Sequence, residues 1–389
     1  MKNQTELLYV GTEYEKDMNI AEVMPIHTST AYVIKGLGDY DKAVAGKSYY
    51  YQRSCNPNRD ALGEAISLLE NAERTLVASS GMAAISTTLL SLLDKGDHVV
   101  FSSSIYGETI ELAENILKNK GIEYSFCDFS NLKTLEENIK INTKLLYFEV
   151  IANPLIQIID VEKVIEIAKS KNIFTVVDST FTTPFLIKPL DYGVDIVIHS
   201  LTKFINGHSD VTAGSISSSE KIMKRIEPNF LLLGGSCDSF SSYLCLRSIR
   251  TFNIRMKVHN ENAKQLVKLI ENHPAVKYIN YPSANGYSQK ELAQKLLGDN
   301  YGAMLSIRVK DDKELVDKFI KKLKLVKYLG TLGGYRTSFA HPATAFRSEF
   351  TQEELEKMGM YEGLLRFSVG LEDIKDIAED INNALNVFL

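Results

Sequence analysis

Between residues 75 and 200 the chain alternates short apolar runs with longer stretches whose apolar residues recur at helical spacing. Thr75-Leu-Val-Ala, Asp97-His-Val-Val-Phe101, Ser125-Phe-Cys-Asp128, Lys144-Leu-Leu-Tyr-Phe148, Phe174-Thr-Val-Val-Asp178 and Asp195-Ile-Val-Ile198 each read as a strand. These runs are continuous rather than alternating, as expected of strands buried on both faces. Helical patterns fall between them. One follows the Asn56-Pro57 turn with Leu62, Ile66 and Leu69, and another opens at Ser80-Gly81-Met82. A third carries Ile110, Leu112, Ile116 and Leu117, and two more cover 131–140 and 161–170. Strand–helix repeats of this length predict an α/β fold, with a mainly parallel central sheet and helices on both faces.

After Gly214-Ser-Ile216 the pattern turns helical. The longest stretch runs from Arg255 to Asn272, with Ala263, Leu266, Val267 and Ile270 on one face and His273-Pro274 at its end. Residues 301–309 then alternate as a strand and 313–323 read as a helix. A second strand at 364–369 precedes a helix that starts near Asp373. The expected division is a cofactor-sized α/β domain at 51–251 and a smaller α+β domain at 252–389. Residues 1–50 have weak periodicity and scatter tyrosines at 9, 14, 32, 40, 49 and 50. Such a segment is expected to be an arm that contacts a neighbouring subunit.

Composition narrows the classes. At 389 residues the chain is too long for one ordinary core, and 44% hydrophobic with 24% charged residues is ordinary for a soluble globular protein. A net charge of -5 disfavours a nucleic-acid partner. The cysteines at 55, 127, 237 and 245 form neither a C-x-x-C pair nor a zinc spacing, so no metal is expected, and they read as free thiols in a reducing cytoplasm. Met1-Lys-Asn-Gln-Thr-Glu6 lacks the apolar core of a signal peptide, and no run is long enough to span a bilayer; a cytoplasmic location without a membrane partner is expected. Gly46-Lys47-Ser48 imitates the end of a P-loop, but Asp41 stands where its first glycine belongs, which excludes that site.

The candidate chemistry collects at strand ends, where open parallel sheets bind ligands. The strand at 195–198 runs into His199-Ser-Leu-Thr-Lys203, and Asp178 closes the strand 25 residues before that lysine. Taken alone, Lys203 reads as a surface charge. Ser80-Gly81-Met82 opens a helix whose free N–H groups and dipole suit a phosphate. Ser200 and Thr202 add hydroxyls, Arg53 a guanidinium, and Tyr106 an aromatic face at a third strand end. A buried Asp178 is costly unless it meets a cation. A phosphorylated, basic aromatic ring bearing an aldehyde would use all of these groups, with Lys203 bonding to the aldehyde and Asp178 pairing with the ring nitrogen. Pyridoxal 5'-phosphate is that cofactor.

At these residues the chain resembles the pyridoxal-phosphate enzymes of cysteine and methionine metabolism: cystathionine γ-lyase, methionine γ-lyase, cystathionine β-lyase, cystathionine γ-synthase and the homoserine-ester sulfhydrylases. The likeness runs from about Tyr50 to the end. Its motifs are Tyr51-Gln-Arg53 with Asn56-Pro57, Ser80-Gly81-Met82, Val177-Asp178-Ser179-Thr180, and His199-Ser-Leu-Thr-Lys203 with Asn206-Gly207-His208-Ser209-Asp210. His341-Pro342-Ala343 and Arg366-Phe-Ser-Val-Gly-Leu-Glu372 complete them.

The resemblance implies the fold-type I architecture of pyridoxal-phosphate-dependent transferases and a homotetramer, a dimer of dimers with shared active sites. In it Tyr51 and Arg53 reach the phosphate of the neighbouring subunit, Asn153 bonds the ring's exocyclic oxygen, and Arg366 grips the α-carboxylate of an amino-acid substrate. Glu149 is divided between a site role and a structural one. The implied activity is a carbon–sulfur lyase acting on methionine, cystathionine, homocysteine or cysteine, with a γ-replacement transferase as the alternative. Lys203 would move the α-proton. Tyr106 would stack on the ring and protonate the departing sulfur, with a phenol expected to titrate below its usual range beside a cation.

Three departures bear on substrate. Glu108 stands where methionine γ-lyases carry Cys, Gly330-Thr331 where cystathionine γ-lyases carry Glu-Ser, and Tyr50 where many cystathionine enzymes carry an acid. Thr331 and Glu108 are therefore candidate substrate-binding residues. Glu108 reads equally as an anchor for a distal ammonium and as a carboxylate favoured by a helix start. Arg347 and Glu349 are expected to shape the entrance.

Overall fold

The computed structural model describes residues 3–11, 21–347 and 351–389; Tyr14 and Glu349 lie outside the described residues. In chain order the first strands are β1 (Arg74–Ala78), β2 (His98–Ser102), β3 (Glu123–Cys127), β4 (Thr143–Glu149), the short pair β5 (Ile151–Ala152) and β6 (Gln157–Ile158), β7 (Phe174–Asp178), β8 (Ile196–Ser200) and β9 (Gly214–Ser218). A seven-stranded sheet has the order β1-β9-β8-β7-β4-β2-β3. Strands β3, β2, β4, β7 and β8 pair in parallel, so their carboxyl ends share one edge. The six strands expected from apolar runs are all present.

Strand β9 was not expected. It wedges between β8 and β1, antiparallel to both. Gly214-Ser-Ile-Ser-Ser218 holds a single large apolar residue, yet all five positions are buried. Small residues suffice because both neighbouring strands and a helix on each face close over them.

Register explains the continuous runs. Val100, Leu146, Phe148, Val177 and Val197 face the helices Pro57–Glu70 and Val161–Ser170. The alternate residues Val99, Phe101, Leu145, Tyr147, Val176, Ile196 and Ile198 face the helices Gly81–Leu92 and Glu220–Leu233. Both faces of these central strands are therefore covered, and most of their positions are apolar. The N-terminal helix Asn3–Tyr9 sinks Leu7 into the first of these cores, together with Val10 and Met24, so part of the arm packs on its own chain. Farther on, Val33 and Leu37 stay 93% and 86% exposed.

The second sheet contains β10 (Tyr278–Asn280), β11 (Met304–Arg308), β12 (Lys327–Tyr328), β13 (Ser338–Ala340) and β14 (Leu364–Ser368), in the order β10-β11-β14-β13-β12. Only β11 and β14 are long enough to have announced themselves by period. The helices Phe252–Ile270, Lys313–Lys322 and Ile374–Leu385 close over it. Among the described residues no helix is long and apolar enough to cross a membrane.

Candidate active site

The carboxyl edge of the first sheet opens into a cavity that the second sheet completes. Lys203 lies in the turn after β8, with its N–H bonded to the Ser200 carbonyl at 3.2 Å. Its Nζ donates to Thr331 Oγ1 at 3.2 Å. Burial, helped by the Arg366 charge, pushes the Lys203 ammonium below its usual range, against the pull of Glu108 and Asp178.

Asp178 ends β7 and is 8% exposed. Its Oδ1 accepts the Thr180 N–H at 2.9 Å. Burial raises the carboxyl, while Thr180, the nearby His199 and Tyr147 offset that rise. The cation it was expected to meet is not a lysine or arginine in direct contact. His199 occupies the neighbouring strand, with its Nε2 2.5 Å from Glu70 Oε1 and both side chains fully buried.

Ser80 caps the helix Gly81–Leu92, its hydroxyl accepting the Ala83 N–H at 3.0 Å. The Gly81 and Met82 N–H groups at the first turn form no hydrogen bond among the described residues and face the cavity edge. A Cβ at position 81 would stand 3.0 Å from the Ser200 Cβ, so the glycine lets the helix start approach the end of β8. Thr202 spends its hydroxyl on the Ala213 backbone, donating to its oxygen at 3.2 Å and accepting from its N–H at 3.0 Å.

Arg366, on β14, reaches across from the second sheet. Its Nη1 donates to Asn153 Oδ1 at 3.0 Å, and its buried Nε lacks a partner. Burial pushes its guanidinium down to about 10, against the attraction of Glu149. A cation in that condition is ready for a carboxylate. Since the Asn153 carbonyl is taken by Arg366, a bond from Asn153 to a ring oxygen has to come from its amide N–H. Glu149, buried and raised by burial, accepts the Tyr106 N–H at 2.7 Å and so sets that residue's position. Among the protein's own groups, burial and a bond to Glu108 raise the Tyr106 phenol.

Of the site residues read from the sequence, Ser80, Gly81, Met82, Tyr106, Asn153, Asp178, Ser200, Thr202, Lys203, Thr331 and Arg366 all line this cavity. Glu108 is exposed beside it, touching Tyr106. Tyr51 and Arg53 are not in it. Arg53 lies over the Tyr51 ring at 5.7 Å and donates to the Leu231 carbonyl at 2.7 Å. Arg347 instead pairs with Glu362 at 2.5 Å. The sequence reading missed Thr212, Phe181, Ile85 and Leu332 on the wall. Phe181 adjoins the quoted Asp178-Ser179-Thr180 motif, whereas Thr212 precedes the unexpected β9.

The donor set fits pyridoxal phosphate on its own chemistry: a lysine whose ammonium burial lowers, a buried acid for a ring nitrogen, and free helix N–H groups for a phosphate. Fold and site together define a pyridoxal-phosphate-dependent enzyme. The model of the family described as Cys/Met metabolism PLP-dependent enzyme matches residues 4–386, and the chain belongs to that family. It is 36% identical over 384 residues to a cystathionine β-lyase of Coxiella burnetii, covering 98% of this chain and 97% of that one. It is equally 36% identical over 386 residues to an L-methionine γ-lyase of Fusobacterium nucleatum subsp. polymorphum, with the same coverage of 98% and 97%. Among solved structures, a provisionally assigned O-acetylhomoserine (thiol)-lyase of Campylobacter jejuni superposes with a TM-score of 0.91 at 29% identity, over 99% of this chain and 100% of that one; it carries N'-pyridoxyl-lysine-5'-monophosphate.

Proposed function

We propose that the protein is a carbon–sulfur lyase that converts a sulfur amino acid (methionine, cystathionine, homocysteine or cysteine) into a thiol, a keto acid and ammonia. The observation that carries this reading is the convergence of Lys203, Asp178 and Arg366 from two sheets on one cavity. Pyridoxal phosphate, when bound, supplies an aldehyde for an amino group and an electron-withdrawing ring. Lys203 holds the cofactor and then takes the substrate's α-proton. Asp178 keeps a proton at the ring nitrogen, and Asn153 donates to the ring's oxygen. The Gly81 and Met82 N–H groups with the Ser80 and Ser200 hydroxyls would hold the phosphate, and Thr202, its proton committed to the Ala213 carbonyl, would shape the seat beside them. Arg366 binds the α-carboxylate, with Thr331 beside it. Tyr106 covers the ring, and its raised phenol keeps the proton that the departing sulfur needs.

Tyr51 and Arg53 are assigned to the phosphate of a neighbouring subunit in a homotetramer built from dimers. Their distance from their own cavity supports this, as do the exposed Val33, Leu37 and Tyr51 on the segment that leads to it. On this reading residues 1–50 are the arm, 51–251 the cofactor domain and 252–389 the smaller one. Four free thiols support a cytoplasmic location.

The second reading is a γ-replacement transferase, a cystathionine γ-synthase or homoserine-ester sulfhydrylase, favoured by the likeness to the Campylobacter protein. A panel of sulfur amino acids and homoserine esters, assayed for keto acid, ammonia and hydrogen sulfide, separates the two. Release of keto acid and ammonia without added thiol is expected. Turnover only of an ester with a thiol would overturn the lyase reading.

A further inference from the structure

Asp178 has a neighbour that the proposed chemistry leaves idle. Tyr147 on β4 is fully buried, its ring 5.4 Å from that of Phe101. Strands β4 and β7 pair Tyr147 with Val176 and Glu149 with Asp178, so Tyr147 and Asp178 project from the same face of the sheet, one side-chain step apart. The phenol reaches the Asp178 carboxylate and the Thr109 hydroxyl, which comes from the helix Gly107–Leu112. Yet Tyr147 Oη and Thr109 Oγ1 are both buried without a well-formed hydrogen bond. Two adjacent buried hydroxyls left unsatisfied are rare in folded proteins. They are understandable if their acceptor is to be fixed in place by a ligand.

The surroundings restrict who donates to whom. Asp178 Oδ1 already takes the Thr180 N–H. The other titratable groups about Asp178 are Glu149 at the end of β4, His199 on β8 with its Glu70 partner, and Lys203 beyond β8. Burial and the two carboxylates keep the Tyr147 phenol protonated. It has one hydrogen to give, and Thr109 can give one to it.

We propose that Tyr147 is a positioning residue for the ring-nitrogen site: Thr109 donates to Tyr147, Tyr147 donates to Asp178, and this relay holds the carboxylate anionic and aimed. The proposal rests on the assignment of Asp178 to the ring nitrogen. Anionic Asp178 then takes the Tyr147 O–H and the ring N–H in addition to its contacts with Thr180, so both carboxylate oxygens are held.

The test uses the purified full-length protein as Tyr147→Phe, Thr109→Val and Asp178→Asn, each with and without pyridoxal phosphate. Three quantities are read: the cofactor dissociation constant, the pH at which the ring nitrogen of 15N-labelled cofactor loses its proton, and the melting temperature of the apoprotein. Tyr147→Phe is expected to bind cofactor about tenfold more weakly and to release the ring proton at lower pH. Thr109→Val should do the same to a smaller degree, and Thr109→Ser should restore the wild-type values. If the hydroxyls are only packing defects, Tyr147→Phe melts higher while affinity and ring titration stay at wild type, and the proposal is overturned. Should Tyr147→Phe fail to fold, the Thr109 pair decides by the same readings. Asp178→Asn separates the two levels: a wild-type ring titration there defeats the Asp178 assignment itself, whereas a collapsed one beside an unaffected Tyr147→Phe defeats only the relay.

Discussion

Lys203 Nζ and Thr331 Oγ1 lie 3.2 Å apart, and their bond joins the end of β8 to the loop before β13. That loop is pressed against the lysine backbone. Gly333 adopts φ +76°, and a Cβ there would stand 2.6 Å from the Phe204 nitrogen. Its N–H donates to Ser368 Oγ on β14 at 2.9 Å. The second sheet therefore supplies the resting place of the lysine that the first sheet carries.

Removing the Thr331 hydroxyl while keeping its shape should free Lys203. Thr331→Val is expected to lower kcat about tenfold, the worth of one hydrogen bond to a charged group, and Thr331→Ser to retain most of it. Steady-state kinetics on both variants check this; equal activity in Val and wild type would remove Thr331 from the lysine's control.

The Lys203 ammonium is lowered by burial and by Arg366, and raised by Glu108 and Asp178. Neutral amine therefore appears at lower pH than for an exposed lysine. The rate at which pyridoxal phosphate attaches to the apoenzyme, which needs neutral amine, should rise through a limb below the ordinary lysine range. Arg366→Gln should move that limb to higher pH and Glu108→Gln to lower pH. Stopped-flow attachment rates across pH measure it, and a shift of either variant in the opposite sense contradicts the assignment.

Arg366 projects one guanidinium into the cavity and leaves its Nε without a partner. A lysine there keeps the charge but loses the planar fork. Arg366→Lys is expected to raise KM for an amino-acid substrate about ten- to a hundredfold, with a smaller effect on kcat. A desamino or descarboxy analogue series shows whether the loss belongs to the α-carboxylate.

Glu108 is exposed at the mouth and bonded to the Tyr106 phenol. As an anchor for a distal ammonium it would be worth only what a solvated ion pair is worth. Glu108→Gln should then lower kcat/KM for cystathionine about fivefold and leave methionine within about twofold. Equal loss on both substrates would mark Glu108 as a partner of Tyr106 alone.

Beneath the site, the Glu70–His199 pair carries structural weight. Glu70 is the last residue of the helix Pro57–Glu70, where the dipole disfavours a carboxylate, and it is fully buried. Glu70→Ala should cost about 3 kcal/mol in denaturant unfolding, because the buried imidazole loses its partner. Glu70→Gln should recover part of it.

Continuous Val and Ile runs made the central strands legible in the sequence, and with them the parallel sheet and its ligand edge. The sequence also placed Asp178, Ser80-Gly81 and Lys203 at that edge, because strand ends follow directly from period and turn residues. Other features waited for the tertiary structure. Strand β9 has too few large apolar residues to show a pattern, and is a strand only because its neighbours pair with it. Glu70 reads as one more helix residue until the fold lays it on His199, 129 positions away. That Glu108 bonds the Tyr106 phenol and helps raise it shows only once the two side chains are placed together. Tyr147 reads as a strand residue like Phe148, and only sheet register sets its hydroxyl toward Asp178. Local spacing records which face a residue takes, but the meeting of Lys203 with Thr331 and Arg366 depends on how two sheets pack, and no period along the chain encodes that distance.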